Sequence, residues 1–296
     1  MQTALTFGLM TARLLTGKEP AAVQRAEVAG RVGGLAADGI GVGLATLLIG
    51  DDEPSAVYVG MKHKAAVKAG IKSIDRRLNS DVSQSDVDAA IDELNADPAV
   101  NGYIVQLPIP AHLDTDRTIL RIDPNKDADG LHPVNLGRML LGLPAPRPAT
   151  PSGILRLLDH YQITAAGKHV VIIGRSGLVG RPLSVMLSQR PHNATVTVTH
   201  SATKDLTELA RSADILVVAA GSPGLVGADH VAPGAVVIDV GTTKIGAGLV
   251  GDVRFDEIVE IASAITPVPG GIGPMTIAGL LANTVILAER TQEDKT

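Results

Sequence analysis

Ser55, Tyr58 and Lys62 stand at i, i+3 and i+7, a spacing that puts a hydroxyl, a phenol and an amine on one face of a helix. A lysine on such a face, close to a buried strand, has its charged form disfavoured by desolvation and can then exchange protons near neutral pH. The competing reading is the ordinary solvated lysine, which suits Lys64 two residues on. Gln106 ends an apolar run just before Leu107 and Pro108, and the C-terminal ends of parallel strands are where α/β sheets present ligand-binding groups. The run Asn125-Lys126-Asp127-Ala128-Asp129-Gly130 carries carboxylates at i and i+2. No glutamate follows at the spacing of a calcium loop, which leaves a turn or a carboxylate that accepts from the N–H edge of a ligand.

A second constellation is built on glycine. Gly174-Arg175-Ser176-Gly177-Leu178-Val179-Gly180 follows the apolar run 168–173 and precedes a helix with Pro182 near its start. Strand, glycine loop and helix together aim backbone N–H groups and a helix N-terminus at a pyrophosphate. Ser176 replaces the middle glycine of the dinucleotide fingerprint, and Leu178 excludes the hydrolase elbow, which needs glycine there. The next strand, 195–199, runs into His200-Ser201-Ala202-Thr203-Lys204 and meets no carboxylate before Asp205. An NAD site places Asp or Glu near this point, so hydroxyls and cations suit the 2′-phosphate of NADP better. The guanidinium fork of Arg175 matches phosphate geometry, although a solvated loop also accommodates Arg175 and Ser201.

Alternating strands and helices must position these groups, which points to an α/β protein with largely parallel sheets. Residues 41–49 read as a buried strand and Ser55 as the N-cap of a helix running to about residue 69, with Gly70 at C′. A helix over 85–95 precedes a strand over 102–106, which Pro108 stops. Proline-rich residues 140–153 form the best domain boundary. Strands then follow at 168–173, 195–199, 215–220 and 235–240, and a final apolar helix runs from residue 276 to about 290.

Composition narrows the setting. Hydrophobic residues are 45% of the 296, yet there are only three Tyr, two Phe and no Trp, so the core is aliphatic. The net charge of −5 and the absence of basic blocks argue against nucleic-acid binding. Gly, Pro or charge interrupts every long apolar stretch before about 18 residues, so no membrane span is expected. The N-terminal fifteen residues lack the layout of a signal peptide and read as part of the fold. Zero cysteines exclude disulfides, thiolate metal sites and a cysteine nucleophile, and a cytoplasmic location is expected.

Five motifs in order carry a resemblance. Tyr58-Val59-Gly60-Met61-Lys62, Gly102-Tyr103-Ile104-Val105-Gln106-Leu107-Pro108, Lys126-Asp127-Ala128-Asp129-Gly130, Gly174-Arg175-Ser176 with Val179-Gly180, and Pro267-Val268-Pro269-Gly270-Gly271-Ile272-Gly273-Pro274-Met275-Thr276 resemble the bifunctional methylenetetrahydrofolate dehydrogenase/methenyltetrahydrofolate cyclohydrolase family. The resemblance implies an N-terminal α/β folate-binding catalytic domain over 1–147, completed by a C-terminal helix over 276–296. It also implies a Rossmann-like NADP domain over 148–275, a folate site in the cleft, and a homodimer through the NADP domain. Lys62 would then be the catalytic lysine, tuned by Gln106, with Tyr58 against the folate rings and Asp129 anchoring the pterin edge. Ser55, Val105, Leu107, Pro269, Gly270 and Gly271 would complete the substrate site. Thr150, Gly174, Arg175, Ser176, Val179, Gly180, His200, Ser201, Gly241, Thr242, Gly273 and Thr276 would bind the cofactor. The chain has Ala149 where the family has cysteine in Pro-Cys-Thr-Pro. A monofunctional dehydrogenase is the rival, and the presence of both Lys62 and Gln106 favours two activities.

Overall fold

The structure, a computed structural model, describes residues 11–246 and 248–293. The reading of residues 1–10 as part of the fold lies outside the described residues. The chain opens with strand β1 (Arg13–Leu14) and helix α1 (Lys18–Ala37). Then come β2 (Gly43–Ile49), α2 (Glu53–Lys68), β3 (Lys72–Leu78), α3 (Gln84–Ala96), β4 (Gly102–Val105), α4 (Thr115–Arg121) and α5 (Pro133–Leu140). Helix α6 (Ala149–His160) leads to β5 (His169–Ile173), α7 (Gly180–Ser188), β6 (Thr195–Thr199), α8 (Leu206–Arg211), β7 (Ile215–Val218) and β8 (Val236–Asp239). A hairpin of β9 (Thr243–Ile245) and β10 (Gly248–Val250), helix α9 (Phe255–Ile258), β11 (Ala264–Ile265) and the long α10 (Ile272–Glu293) follow.

The chain divides into two compact units, each of the α/β class expected. In one, three parallel strands lie in the order β3-β2-β4. All seven residues of β2 are buried, as the central strand of a parallel sheet covered on both faces requires. Leu44 and Ile104 pack with Val28, Val32, Ala66 and the α10 residues Leu280, Leu281 and Val285, while Ala45, Leu47 and Ile49 pack with Val87, Ile91 and Leu94 of α3. The helices carrying functional groups therefore sit on one face and α3 on the other.

In the other unit six parallel strands run in the order β1-β11-β8-β7-β5-β6. Strand β5 lies between β6 and β7, so the strand order reverses at its C-terminal end, the usual ligand-binding crevice of doubly wound sheets. Phe255 packs on this unit's aliphatic core, and Tyr161 donates to Thr16 O at 3.0 Å while the Arg13 guanidinium lies 4.7 Å from its ring centroid.

Two boundaries differ from the sequence reading. The described residues up to Pro20 group with the six-stranded unit and not with residues 21–152, because β1 pairs in parallel with β11. The proline-rich junction divides between Ser152 and Gly153 instead of at residue 148. Residues 147–149 are tied to the three-stranded unit: Asn283 Nδ2 donates to Arg147 O at 2.8 Å and Ala149 N to Asp129 O at 3.2 Å. The remaining division falls between Met275 and Thr276.

Helix α10 starts at Ile272 and not at residue 276, and includes Gly273 and Pro274 in its first turn, where the N–H that proline lacks has no intrahelical partner to lose. Over Ile272–Thr291 it is long and apolar enough by length and composition to cross a membrane, but 67% of its apolar 18-residue window is buried within the protein, as in a core helix.

Candidate active site

Helix α2 carries the first constellation. Its N-cap is Asp52, whose carboxylate accepts from Ser55 N at 2.9 Å, and Pro54 lies in its first turn. This corrects Ser55 as the N-cap: an aspartate three residues earlier satisfies that end, and Ser55 is instead a buried first-turn residue. At the other end Gly70 N donates to Val67 O and Ile71 N to Ala66 O, both at 3.0 Å, the bond pair of a Schellman closure.

Lys62, only 7% exposed, extends from this helix to the end of β4, where its Nζ donates to Gln106 Oε1 at 3.0 Å. Gln106 is held there by two further bonds, from its own N to Leu47 O at 2.9 Å and from Nε2 to Leu107 O at 2.8 Å. With its amide nitrogen so engaged, Gln106 keeps its carbonyl toward the lysine. Burial lowers the Lys62 pKa, partly opposed by the carboxylate of Asp129. Burial raises the Asp129 pKa, with Lys62 opposing and Asp127 reinforcing the shift. Both shifts favour the uncharged forms, and each group restrains the other. Tyr58, one turn before Lys62, is half-buried, and Val105 is buried beside Gln106.

The two carboxylates of residues 127 and 129 have separate tasks. Asp127 is buried and accepts from Gly130 N, His132 N and Asn135 Nδ2 at 2.8–3.0 Å, which makes it the organiser of the turn. Lys126 caps the end of α3, donating to Leu94 O and Asp97 O. Asp129, half-buried, is the carboxylate of the pair that interacts with Lys62. Its loop is braced on both sides: Asn283 Nδ2 donates to Ala128 O at 2.8 Å as well as to Arg147 O, and a side chain on Gly130 would overlap the Arg147–Pro148 backbone. Ala149 is buried in the same aliphatic core, so the small apolar residue fits where the family has cysteine. Tyr103 is fully buried and donates to Asn95 Oδ1 at 2.7 Å, a packing role distinct from that of Tyr58.

The glycine loop belongs to the six-stranded unit. Gly174, with φ 118°, leaves β5 against Ala219 O, and a Cβ on Gly180 would overlap Gly174 O. Ser176 Oγ accepts from Val179 N at 3.1 Å, and its carbonyl accepts from Arg181 N. The serine that replaces a glycine thus shapes the entry to α7. A side chain on Gly177 would meet nothing within 4 Å, so the loop is closed toward the sheet and open outward, a cradle that fits a pyrophosphate. Gly174 N donates to Thr199 O at 3.0 Å, which brings Arg175 beside the strand end that carries His200 and Ser201. His200 is half-buried with its N bonded to Thr203 Oγ1 at 2.9 Å; Arg175, Ser201 and Lys204 are exposed. This cationic, hydroxyl-bearing edge fits a 2′-phosphate.

The other expected residues are distributed between the units. Gly241 is buried against Asp252 and donates to Asp239 Oδ1 at 2.9 Å, with exposed Thr242 next to it. Pro269 and Gly270 are exposed, Gly271 N donates to Pro267 O at 2.8 Å, and Gly273 lies in the first turn of α10. Thr150 and Thr276 fall in the three-stranded unit, apart from the other cofactor residues, with their hydroxyls 3.0 Å from each other.

Sequence reasoning passed over two buried carboxylates. Asp239 accepts from Gly241, Asp252 and Val253 N–H groups, and burial pushes its pKa up to about 6 against those donors. Asp252 accepts from Ala220 and Gly221 N–H groups, both at 2.8 Å, and burial raises its pKa also. Together they set the loops after β7 and β8. The only signal was their position at apolar strand ends. His63, Thr46 and Asn283 were also missed; a polar residue in an otherwise aliphatic strand or helix is the clue for Thr46 and Asn283.

Comparison with known proteins bears on both units. Residues 15–129 match the family described as tetrahydrofolate dehydrogenase/cyclohydrolase, catalytic domain, and residues 148–292 its NAD(P)-binding domain. The chain is similar to the bifunctional enzyme FolD, methylenetetrahydrofolate dehydrogenase/cyclohydrolase, from Campylobacter jejuni, with 44% identity and a TM-score of 0.91 over 95% of this chain and 99% of that one. It is similar to the methylenetetrahydrofolate dehydrogenase-cyclohydrolase (FolD) of Trypanosoma brucei, solved with NADP cofactor and inhibitor, at 38% identity and TM-score 0.91 over 95% and 99% of the two chains. The bifunctional dehydrogenase/cyclohydrolase of Thermoplasma acidophilum matches at 37% identity and TM-score 0.88 over 95% and 100%.

Proposed function

The chain belongs to the tetrahydrofolate dehydrogenase/cyclohydrolase family, and from that premise we propose how its residues divide the work of a bifunctional enzyme. The protein oxidises 5,10-methylenetetrahydrofolate to 5,10-methenyltetrahydrofolate with NADP+ and hydrolyses the product to 10-formyltetrahydrofolate. NADP+, when bound, supplies the hydride acceptor. The protein's share of that step is orientation: Gly174, Ser176 and Gly180 shape the pyrophosphate cradle, and Arg175, His200 and Ser201 meet the 2′-phosphate.

The observation that carries the hydrolytic half is the 3.0 Å bond from buried Lys62 to Gln106, beside Asp129. Water adds to the cationic methenyl carbon and loses a proton, and the C–N bond to N5 then breaks as that nitrogen is protonated. A lysine with a lowered pKa has an uncharged fraction at neutral pH that can take the water's proton and, once protonated, return one. Gln106 fixes the direction of that amine. Asp129 accepts from the pterin N–H edge, and Tyr58, the one half-buried aromatic on this helix face, stacks on the rings. A monofunctional dehydrogenase has no use for the Lys62–Gln106 pair.

Lys62→Met tests this reading when NADPH and methenyl absorbance are followed separately. Cyclohydrolase turnover is expected to fall by about two orders of magnitude or more, while NADPH formation persists and the methenyl compound accumulates. Cyclohydrolase turnover near the unsubstituted level would overturn the assignment.

A homodimer through the six-stranded unit is part of the same proposal. The β9–β10 hairpin is a separate two-stranded sheet that exposes Ile245 and Leu249, apolar surface suited to a second copy. In sedimentation equilibrium, Ile245→Lys with Leu249→Lys is expected to give a monomer; an unchanged mass would remove this hairpin from the interface.

A further inference from the structure

His63 follows Lys62 on α2, yet its side chain goes to a different part of the sheet. Its Nε2 lies 2.7 Å from Thr46 Oγ1 on β2 and 3.8 Å from Asp75 Oδ1 on β3, and its Nδ1 pairs with Ser73 Oγ on β3. Thr46 is 1% exposed, a hydroxyl in an otherwise apolar buried strand. Thr46 is paired in register with Asp75, and Leu44 with Ser73, so the three polar groups share one face of the sheet, beneath the helix. Neither ring nitrogen of His63 lacks a partner.

The other buried residues of the helix are Ser55, Val59 and Ala66; the aliphatic contacts of Val59 and Ala66 are non-directional, and alanine offers little for neighbouring side chains to lock against. Hydrogen bonds are different, because they weaken steeply as distance and angle depart from the optimum. Lys62 ties α2 to the end of β4 through Gln106, and His63 ties the next residue to β2 and β3. The helix is thereby braced across all three strands, and the reach of the Lys62 amine depends on where that brace holds it.

We infer that His63 is a positioning residue for Lys62, acting through Thr46 and Ser73 to fix the helix over the sheet. This rests on Lys62 serving the hydrolytic step. Loss of the brace lets the amine drift from its line to the reacting carbon, which lowers turnover without removing any contact to the folate.

The test compares His63→Leu, Thr46→Val and His63→Gln with Lys62→Met, measuring kcat and KM for both activities. His63→Leu and Thr46→Val are each expected to lower cyclohydrolase kcat about tenfold, since small misplacements of a reacting group are costly. The cyclohydrolase KM and the dehydrogenase kcat should stay within about twofold, because neither depends on the lysine's alignment. His63→Gln, which keeps a polar group within reach of Thr46, should recover most of the loss. Cyclohydrolase kcat left unchanged in both variants, or both activities falling in parallel, would overturn the inference. If His63→Leu does not fold, Thr46→Val carries the same comparison alone. Lys62→Met separates the two claims: its retention of cyclohydrolase activity defeats the lysine's role, whereas its inactivity beside unaffected His63→Leu and Thr46→Val defeats only the positioning role.

Discussion

In the three-stranded unit the groups proposed to act are side chains, Lys62, Gln106 and Asp129, placed by directional bonds such as the one at 3.0 Å from Lys62 to Gln106. In the six-stranded unit the cradle over residues 174–180 is made of backbone, and what places it is the absence of side chains: Gly174 against Ala219 O and Gly180 against Gly174 O. The first arrangement tunes protonation, because burial and opposite charge act on individual groups. The second presents N–H groups and a helix N-terminus to an anion. Substitutions should therefore fail differently, by chemistry in one unit and by shape in the other.

Gly180→Ala is the sharpest break. The added Cβ would overlap a backbone carbonyl with no flexible side chain to yield, and overpacking of this kind costs about 1–3 kcal/mol. NADP affinity is expected to fall about 10- to 100-fold, read by titration of the purified protein, while cyclohydrolase turnover of added methenyltetrahydrofolate continues. Loss of both together would show that the units do not fail independently.

Asp129→Asn probes the side-chain arrangement. Replacing the carboxylate removes a charge-assisted acceptor, expected to raise the folate KM about tenfold. The pH response has a definite sign. Burial holds the Lys62 pKa below its ordinary value and Asp129 pulls it partway back up; without the carboxylate the amine loses its proton at still lower pH. The ascending limb of cyclohydrolase kcat against pH, which tracks the unprotonated amine, should move to lower pH. A shift to higher pH would mean that Asp129 is not the group opposing desolvation.

Legibility in the sequence follows the same division. The glycine cradle was readable because backbone geometry restricts residue type, and the dinucleotide strands β5 and β6 fall within a residue of expectation. The Lys62, Gln106 and Asp129 set stands in motifs, and the family resemblance singled out Asp129, although the i, i+2 spacing alone gave no way to tell that Asp127 builds the turn and Asp129 interacts with the lysine. Strand β3, Lys72–Leu78, was missed: as an edge strand it tolerates the charges of Lys72, Asp75, Arg76 and Arg77, which conceal the alternation that marks a strand. The supports were the least visible. Asn283 in α10 and His63 in α2 act on partners more than a hundred and about seventeen residues away, respectively. No local pattern encodes such pairs; only the fold brings them together.

The smallest effect is expected at the exposed rim of the cradle, where a charged side chain acts within an otherwise backbone-built site. Arg175 is solvent-exposed and next to a strand end without a carboxylate before Asp205, so its contribution to a phosphate contact is screened by water and salt and should be about 1 kcal/mol. Arg175→Ala is then expected to raise the KM for NADP+ about fivefold and to leave that for NAD+ nearly unchanged, since NAD+ lacks the 2′-phosphate. The NADP+ effect should shrink as ionic strength rises. Steady-state measurements with both dinucleotides at two salt concentrations separate the possibilities. An equal loss with NAD+ would move Arg175 from the 2′-phosphate to the pyrophosphate, and salt-independent behaviour would mean that the guanidinium acts by packing on the loop. Either result would show that the second unit, too, relies on a side chain for more than shape.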